Sequence, residues 1–317
     1  MRAVIVGTGS YLPERVVSND ELAKTVATSD EWMRERTGIR SRHIAGEGQP
    51  LADLQEIACK RALESAGVKA SDIDLIVSAT LSQDMIFPSS AMGIQARIGA
   101  TRAFGFDVSA ACSGFLYALG VADSLIHAGK AKRALVVGAE VLSRCVDWTD
   151  RDTCVLFGDG AGAVVLAASD DDSRGIMDID MYSDGTKTEL LRMTGGVLTG
   201  DIGRIVMNGR EVYKFAVAHM ARASADLLAR RGLTVEDVKW CVPHQANLRI
   251  IESVATRLHL PMERVIATVA DHANTSAASI PLALDTAVRD GRVRAGDLVL
   301  LCAMGAGFTW GAGLVRI

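Results

Sequence analysis

The sequence predicts an α/β protein of two similar halves, with mainly parallel β-structure covered by helices. Three observations carry this. Short apolar runs of strand length alternate with longer stretches at helical spacing. Two segments, 62–77 and 227–242, align without a gap, and each reads as a helix end, a glycine cap, an aspartate and a buried strand. The 317 residues are 49% hydrophobic, ample for a large core, yet no apolar stretch reaches the roughly 18 residues needed to span a bilayer.

The opening Met1-Arg-Ala-Val-Ile-Val6-Gly7 is a strand-and-turn signal too short for a secretory segment. Gly7-Thr-Gly9-Ser-Tyr-Leu12 starts like a dinucleotide fingerprint, but Leu12 stands where the third glycine belongs, so it reads as a tight strand-to-loop turn. The first repeat copy predicts a helix ending at Gly67 and a strand through Val77. Residues 103–108 read as a short buried strand running into a helix over 113–126, with Phe115, Leu116, Leu119, Ala122, Leu125 and Ile126 near helical spacing. A helix end at Gly129 and a strand over 134–137 follow. Gly158-Asp-Gly-Ala-Gly162 lacks the Lys-Ser/Thr of a phosphate loop and reads as close backbone packing between strands. The acidic segment 169–173 is a solvated loop where the halves meet, dividing the chain into 1–170 and 171–317. The second half repeats the order, with a strand to Val242, a helix over 280–288, a helix end at Gly291, a strand over 297–301 and Gly305-Ala306-Gly307.

Sites in such sheets lie where strands end. The duplication makes 77–80 equivalent to 242–245, and the turn before the Cys112 helix equivalent to the turn before the Asn274 helix. One cleft between the halves then collects all four segments.

A net charge of -4 and a pI near 5.9 exclude a general nucleic-acid binder, which needs a basic face. Six scattered cysteines make no disulfide framework and read as reduced thiols of a cytoplasmic protein. No histidine has metal-ligand spacing to cysteines or carboxylates, so no metal is expected.

Cys112 sits in Asp107-Val-Ser-Ala-Ala-Cys112-Ser-Gly114, at the first turn of the expected helix. Unpaired N–H groups and the helix dipole there favour a thiolate, the form that attacks carbonyls. Ala110, Ala111, Ser113 and Gly114 leave room for a substrate; the alternative is a buried small hydrophobe. His244 follows a strand and Pro243, which projects its ring from a sheet edge beside Gln245 and Asn247. Asn274, in a polar turn opening a helix, is either a site residue or an N-cap. Cys241 and Cys302 lie in apolar strands as inert core thiols.

These residues and their surroundings resemble the β-ketoacyl-acyl-carrier-protein synthase III family over essentially the whole chain. The markers are Gly7-Thr-Gly-Ser-Tyr-Leu-Pro13, Thr28-Ser-Asp-Glu-Trp32, Arg36-Thr-Gly-Ile-Arg40, Asp107-Val-Ser-Ala-Ala-Cys112, Phe157-Gly-Asp-Gly-Ala-Gly162, Val242-Pro-His-Gln-Ala-Asn-Leu-Arg249 and Asn274-Thr-Ser-Ala-Ala-Ser279. The resemblance implies a thiolase-like fold of two duplicated βαβαβαββ halves in αβαβα layers. It also implies decarboxylative condensation of an acyl-CoA primer with malonyl-acyl carrier protein, initiating fatty-acid synthesis without a cofactor. Cys112, His244 and Asn274 are the implied catalytic triad, with the backbone N–H groups of Cys112 and Ala306 as the oxyanion hole. Thr28, Trp32, Arg36, Arg151, Gly209 and Asn247 are implied to hold CoA and its pantetheine arm. Gln245, Ala246, Asn247, Leu248, Arg249 and Lys214, with Arg257 as a weaker candidate, are implied to meet the carrier protein.

Phe87, Leu142 and Phe157 are implied to shape the acyl pocket, with Phe87 reaching across a homodimer interface and its bulk favouring short primers such as acetyl; Trp148 is a further candidate neighbour. Two departures stand out. Ala306 replaces the middle glycine of the family's Gly-Gly-Gly, which keeps the N–H but restricts its dihedral angles. Cys302 is one residue too far from Gly305 to match a thiolase base and reads as a core cysteine. The order Cys, His, Asn also fits a papain-like protease, but the local cysteine signature, the secretory segment and the disulfide cysteines are missing. A biosynthetic thiolase or a specialised ketosynthase is the nearer rival, and a silent scaffolding homologue would have lost one of the three residues.

Overall fold

Residues 2–317 are described by a computed structural model. The first half opens with strand β1 (Arg2–Tyr11), then the hairpin strands β2 (Arg15–Ser18) and β3 (Ser41–Ile44), which enclose helices α1 (Asn19–Leu22) and α2 (Asp30–Thr37). Helix α3 (Leu51–Ala66), strand β4 (Leu75–Ala79), helix α4 (Ser90–Ile98), strand β5 (Phe104–Val108) and helix α5 (Gly114–His127) follow. Strand β6 (Arg133–Glu140), helix α6 (Arg151–Cys154) and strand β7 (Gly160–Ser169) complete it. The second half contains β8 (Gly175–Ser183), the hairpin β9 (Leu191–Met193) and β10 (Ile205–Met207), α7 (Gly209–Arg230), β11 (Trp240–Pro243) and α8 (Leu248–Leu258). It ends with α9 (Val269–His272), α10 (Ser279–Arg289), β12 (Leu298–Gly305) and β13 (Thr309–Arg316).

The sheet orders are β1-β7-β6-β4-β5 and β8-β13-β12-β11, the same path traced twice. The second copy is trimmed. Where β5 has its counterpart, only an isolated parallel bridge between Cys241 and Val265 remains, held by the Ile266 N–H on the Cys241 carbonyl. Helices α3 and α4 cover the outer face of the first sheet, α5 and α10 lie between the sheets, and α7 with α8 beside it covers the second. This is the five-layer αβαβα order of the thiolase-like fold. The repeated glycine caps sit at the same place in each copy, Gly67 at φ 63° and Gly232 at φ 66°, the left-handed region that stops a helix.

The glycine pair near the N-terminus does not turn; β1 runs straight through it. Side chains alternate along a strand, so Gly7 and Gly9 face one way and Thr8 and Ser10 the other. A Cβ at Gly9 would lie 2.3 Å from the Ala62 nitrogen, and one at Gly7 would lie 2.5 Å from the Ala62 oxygen. Bare backbone is what lets α3 press onto the strand. On the other face, Thr8 and Ser10 donate hydroxyl hydrogen bonds of 2.7 and 2.5 Å to Asp285 of α10, tying the first sheet to a helix of the second half.

The 158–162 stretch is corrected in the same sense, since Cβ atoms at Gly160 and Gly162 would strike Leu282 and Pro281 of α10. Its glycines fit a helix onto a strand, not strand to strand. β5 is also less buried than its apolar sequence implies: it is an edge strand, and Phe104 is 46% exposed.

Gly9→Ala is expected to lower unfolding free energy by about 1–3 kcal/mol, the range for forcing atoms into a packed interior. Gly93→Ala, on exposed α4 with open space at its Cβ, should instead stabilise by up to about 1 kcal/mol. Denaturant unfolding of both variants checks the pair, and equal effects would contradict the packing account of β1.

Candidate active site

The two central helices are each entered through a bent turn. Ala111 (φ 48°) precedes Cys112 in a 3₁₀ turn, Ala111–Ser113, that leads into α5. Ser276 (φ 49°) precedes Ala277 in a matching turn, Ser276–Ala278, that leads into α10. A non-glycine residue in the left-handed region is costly, and it persists here because packing fixes both turns. A Cβ at Gly305 would fall 2.6 Å from the Cys112 nitrogen, and one at Gly138 would fall 2.2 Å from the Ala277 oxygen. The Thr309 hydroxyl donates to the Ala110 carbonyl and the Ser113 hydroxyl to the Thr309 carbonyl, pinning the cysteine turn to the start of β13.

One cavity of about 670 Å³ collects Cys112, His244, Asn274 and Ala306. Its inner wall is apolar, with Leu142, Leu156, Phe157, Met220 and Met304 among the lining residues. Exposed Arg36, Arg192, Arg210, Lys214 and Arg249 line it as well, which makes one end basic. Gly209, Ala246 and Asn247 complete the wall on that side; Asn247 caps α8 by accepting from the Ile250 N–H.

His244 follows β11, with its backbone N–H on the Cys302 carbonyl of the neighbouring strand. It is buried, and its Nδ1 has no partner among the described residues. Burial lowers its pKa to about 3, so the imidazole is neutral at pH 7. The Asn274 backbone is clamped to the Leu156 carbonyl and to Gly158. Its side-chain oxygen accepts from the Ser276 N–H at 2.9 Å, so the amide nitrogen is the free end. Asn274 thus both caps a turn and presents a donor.

The expected thiolate stabilisation is corrected. Burial, with a smaller contribution from the Glu140 carboxylate, pushes the Cys112 thiol up to about 12. A helix N-terminus contributes at most about 2 kcal/mol, whereas raising a thiol from 9 to about 12 takes roughly 4 kcal/mol. Burial wins. Ala306 is not strained: the positive φ of its segment falls on Gly307, at 130°, and Ala306 is absent from the left-handed residues among those described.

Eight of the expected residues, Arg257 among them, lie outside the cavity wall. Gln245 is 1% exposed and cannot meet a partner; it donates to the Pro243 and Ile266 carbonyls and accepts from the Thr268 and Val269 N–H groups. Leu248 turns against Gly38 at the end of α2. Phe87 is 83% exposed and touches no acyl pocket of its own chain. Trp32 and Arg151 stack on each other, with the guanidinium 4.8 Å from the ring centre. Near them Thr28 has a buried hydroxyl without a partner among the described residues. Trp148 lies apart, donating to the Ser143 carbonyl. Sequence reasoning missed Glu140, Ser276, Arg192 and Arg210. A charge ending the apolar run 134–139 was the available signal for Glu140.

Residues 106–185 match the family described as 3-oxoacyl-[acyl-carrier-protein] synthase III, and residues 228–317 match its C-terminal region. A β-ketoacyl-[acyl-carrier-protein] synthase III of Rhizorhabdus wittichii is 55% identical over 99% of both chains. The crystal structure of 3-oxoacyl-[acyl-carrier-protein] synthase III from Aquifex aeolicus superposes with a TM-score of 0.95 at 48% identity, covering 99% of this chain and all of that one. The priming β-ketosynthase of the R1128 polyketide biosynthetic pathway gives 0.94 at 39% identity, covering 99% of this chain and 96% of that one.

His244 binds no proton in the fold until the pH nears 3, while its unfolded counterpart titrates near 6.5. Its neutral burial therefore contributes stability that is complete above pH 6.5 and lost as the pH falls toward 3. Between pH 7 and 4.5 the parent should lose on the order of 2 kcal/mol more unfolding free energy than His244→Gln. Parallel losses in denaturant melts would contradict a neutral buried imidazole.

Proposed function

The chain belongs to the 3-oxoacyl-[acyl-carrier-protein] synthase III family, and from that premise we propose that it condenses an acyl-CoA primer with malonyl-acyl carrier protein, initiating fatty-acid synthesis. The observation that carries the reading is the single cavity in which Cys112, His244 and Asn274, drawn from both halves, meet below a basic end.

Cys112 attacks the primer thioester, and the backbone N–H groups of Cys112 and Ala306 receive the oxyanion. CoA leaves and the primer stays on the sulfur. Malonyl-carrier protein then enters, and the neutral His244 ring and the free Asn274 amide donate hydrogen bonds to its thioester oxygen as CO2 departs. Both are uncharged donors. A carboxylate in place of Asn274 would repel the growing enolate. The carbanion attacks the acyl-Cys112 carbonyl, giving 3-oxoacyl-carrier protein and freeing the cysteine.

The basic end suits phosphates. Arg36 lies there, while the Trp32–Arg151 stack and the Thr28 hydroxyl offer planar and polar surfaces for the adenine end of CoA. Gly209 and Asn247 flank the pantetheine path. Lys214, Ala246, Asn247 and Arg249 form the landing patch for the acidic carrier protein, with Arg257 exposed on the same helix as Arg249. The half-exposed edge strand β5 and the exposed run Met85-Ile86-Phe87 support a homodimer, in which Phe87 enters the partner's acyl pocket beside Leu142 and Phe157 and limits the primer to short chains. A second reading, priming in a specialised pathway, rests on the likeness to the R1128 enzyme.

Intact mass after mixing with acetyl-CoA should show one acetyl addition that Cys112→Ala abolishes; addition to that variant would refute the assignment. His244→Ala and Asn274→Ala should still acylate but lose condensation with malonyl-carrier protein by about 100- to 1000-fold, as for removal of an oxyanion donor. Branched or medium primers used as well as acetyl would refute the short pocket.

A further inference from the structure

Glu140 ends β6 as a fully buried carboxylate with no cation against it among the described residues. It accepts hydrogen bonds from the Leu81 N–H, from the hydroxyls of Thr80 and Ser82, and from the Ser276 hydroxyl at 3.2 Å. Ser276 lines the same cavity as Cys112, and the turns that carry them, 276–278 and 111–113, pack against each other; the Ser276 hydroxyl favours the Cys112 thiolate. Its place between the two follows from the fold. Gly138, two residues before Glu140, lets the Ser276–Ala278 turn ride on β6, and the positive φ of Ser276 turns that segment toward the cysteine.

We propose that Ser276 and Glu140 form a proton relay for Cys112. When the primer arrives, the Cys112 S–H bond breaks, its proton passes to the Ser276 oxygen, and the Ser276 proton passes to the Glu140 carboxylate. The sulfur then bonds to the thioester carbonyl carbon, and the departing CoA thiolate takes a proton from water. At the end of the cycle the carbanion displaces the Cys112 thiolate, which recovers its proton from Glu140 through Ser276. The negative charge starts on the carboxylate, passes to the sulfur and leaves with CoA; the acyl-enzyme holds a neutral Glu140, and the thiolate released at the end restores the carboxylate by taking back its proton, so carboxylate and thiolate are never charged together. That matters because the two anions repel each other, so a thiolate forms most readily when Glu140 becomes neutral.

Burial raises the Glu140 carboxyl to about 7, which matches a base that must hold a proton reversibly at neutral pH. The titratable groups facing it are Cys112 on the opposite turn and Cys145 after β6, both thiols raised by burial. Serine and glutamate act here as positioning and proton-holding residues; only Cys112 touches the primer.

The inference rests on the acyl-Cys112 reading, so it is tested by two readouts. Acylation by acetyl-CoA in rapid-quench mass measurements should fall on the order of 100-fold at pH 7 in Glu140→Gln and in Ser276→Ala. Ser276→Gly, which suits the left-handed backbone, should lose as much. The Ser276→Ala/Glu140→Gln double variant should be no slower than either single variant. The rate of the parent should rise as pH increases through about 7, a limb that Glu140→Gln lacks.

Condensation by enzyme already acylated should stay within about twofold, since the thiolate leaves without needing a proton. Iodoacetamide alkylation of Cys112 reads the thiol without any acyl-CoA and should slow in the same variants. If Glu140 acts only as a repelling anion, Glu140→Gln will alkylate faster, and that result overturns the relay. Multiplicative losses in the double variant, or equal losses in acylation and condensation, overturn it too. A parent enzyme that alkylates normally but never acylates would overturn the proposed function instead.

Discussion

Everything at this site depends on how closely two backbones approach each other across the duplication. Each bent turn that launches a central helix is buttressed by the strand end of the opposite half. β12 of the second half presses on the Cys112 turn through Gly305, and β6 of the first presses on the Ser276 turn through Gly138. Neither approach tolerates a side chain. The left-handed residues Ala111 and Ser276 are costly alone, but each is locked by contacts that the other half supplies. Splitting the halves would release both turns together, so Cys112 and Asn274 are positioned by one cooperative interface.

That interface also sets the electrostatics. A buried pocket with no cation at its floor keeps His244 neutral, holds the cysteine as a thiol and lifts Glu140. Charged groups gather instead at the basic end, where solvent screens them and where phosphates or an acidic protein can use them. The division fits a reaction whose reacting atoms carry one negative charge at a time. Neutral donors inside low-dielectric walls gain strength as charge develops in front of them and cost little before it does.

The fold was legible because its signals are local and repeated. Glycine caps, aspartates and strand-length apolar runs recur in both halves, and small residues around Cys112 announce a turn that a substrate can reach. What failed was anything decided by a distant neighbour. Gly7 and Gly9 look like a turn because glycine favours turns, yet α3 requires them inside a strand. Gln245 sits in a motif beside true cavity residues, but adjacency in sequence does not fix the direction of a side chain, and this one points into the backbone of 266–269. The thiol of Cys112 was misjudged because helix entry is visible in sequence while burial and a carboxylate contributed by another strand are not.

The duplication also shows how a symmetric scaffold came to hold an asymmetric site. Counting from the matched turns and strand registers, Cys112 corresponds to Ala277, His244 to Ala79 and Glu140 to Gly305. Each chemical group is present in one copy and replaced by a small residue in the other. At one of these positions the packing requires the small residue. Gly305 makes this plain: it is the counterpart of a carboxylate, and any Cβ there would collide with the Cys112 backbone nitrogen. The packing that positions Cys112 therefore forbids an acid at 305, the counterpart of Glu140, so the carboxylate at this pair of strand ends comes from β6 alone and meets Ser276 there.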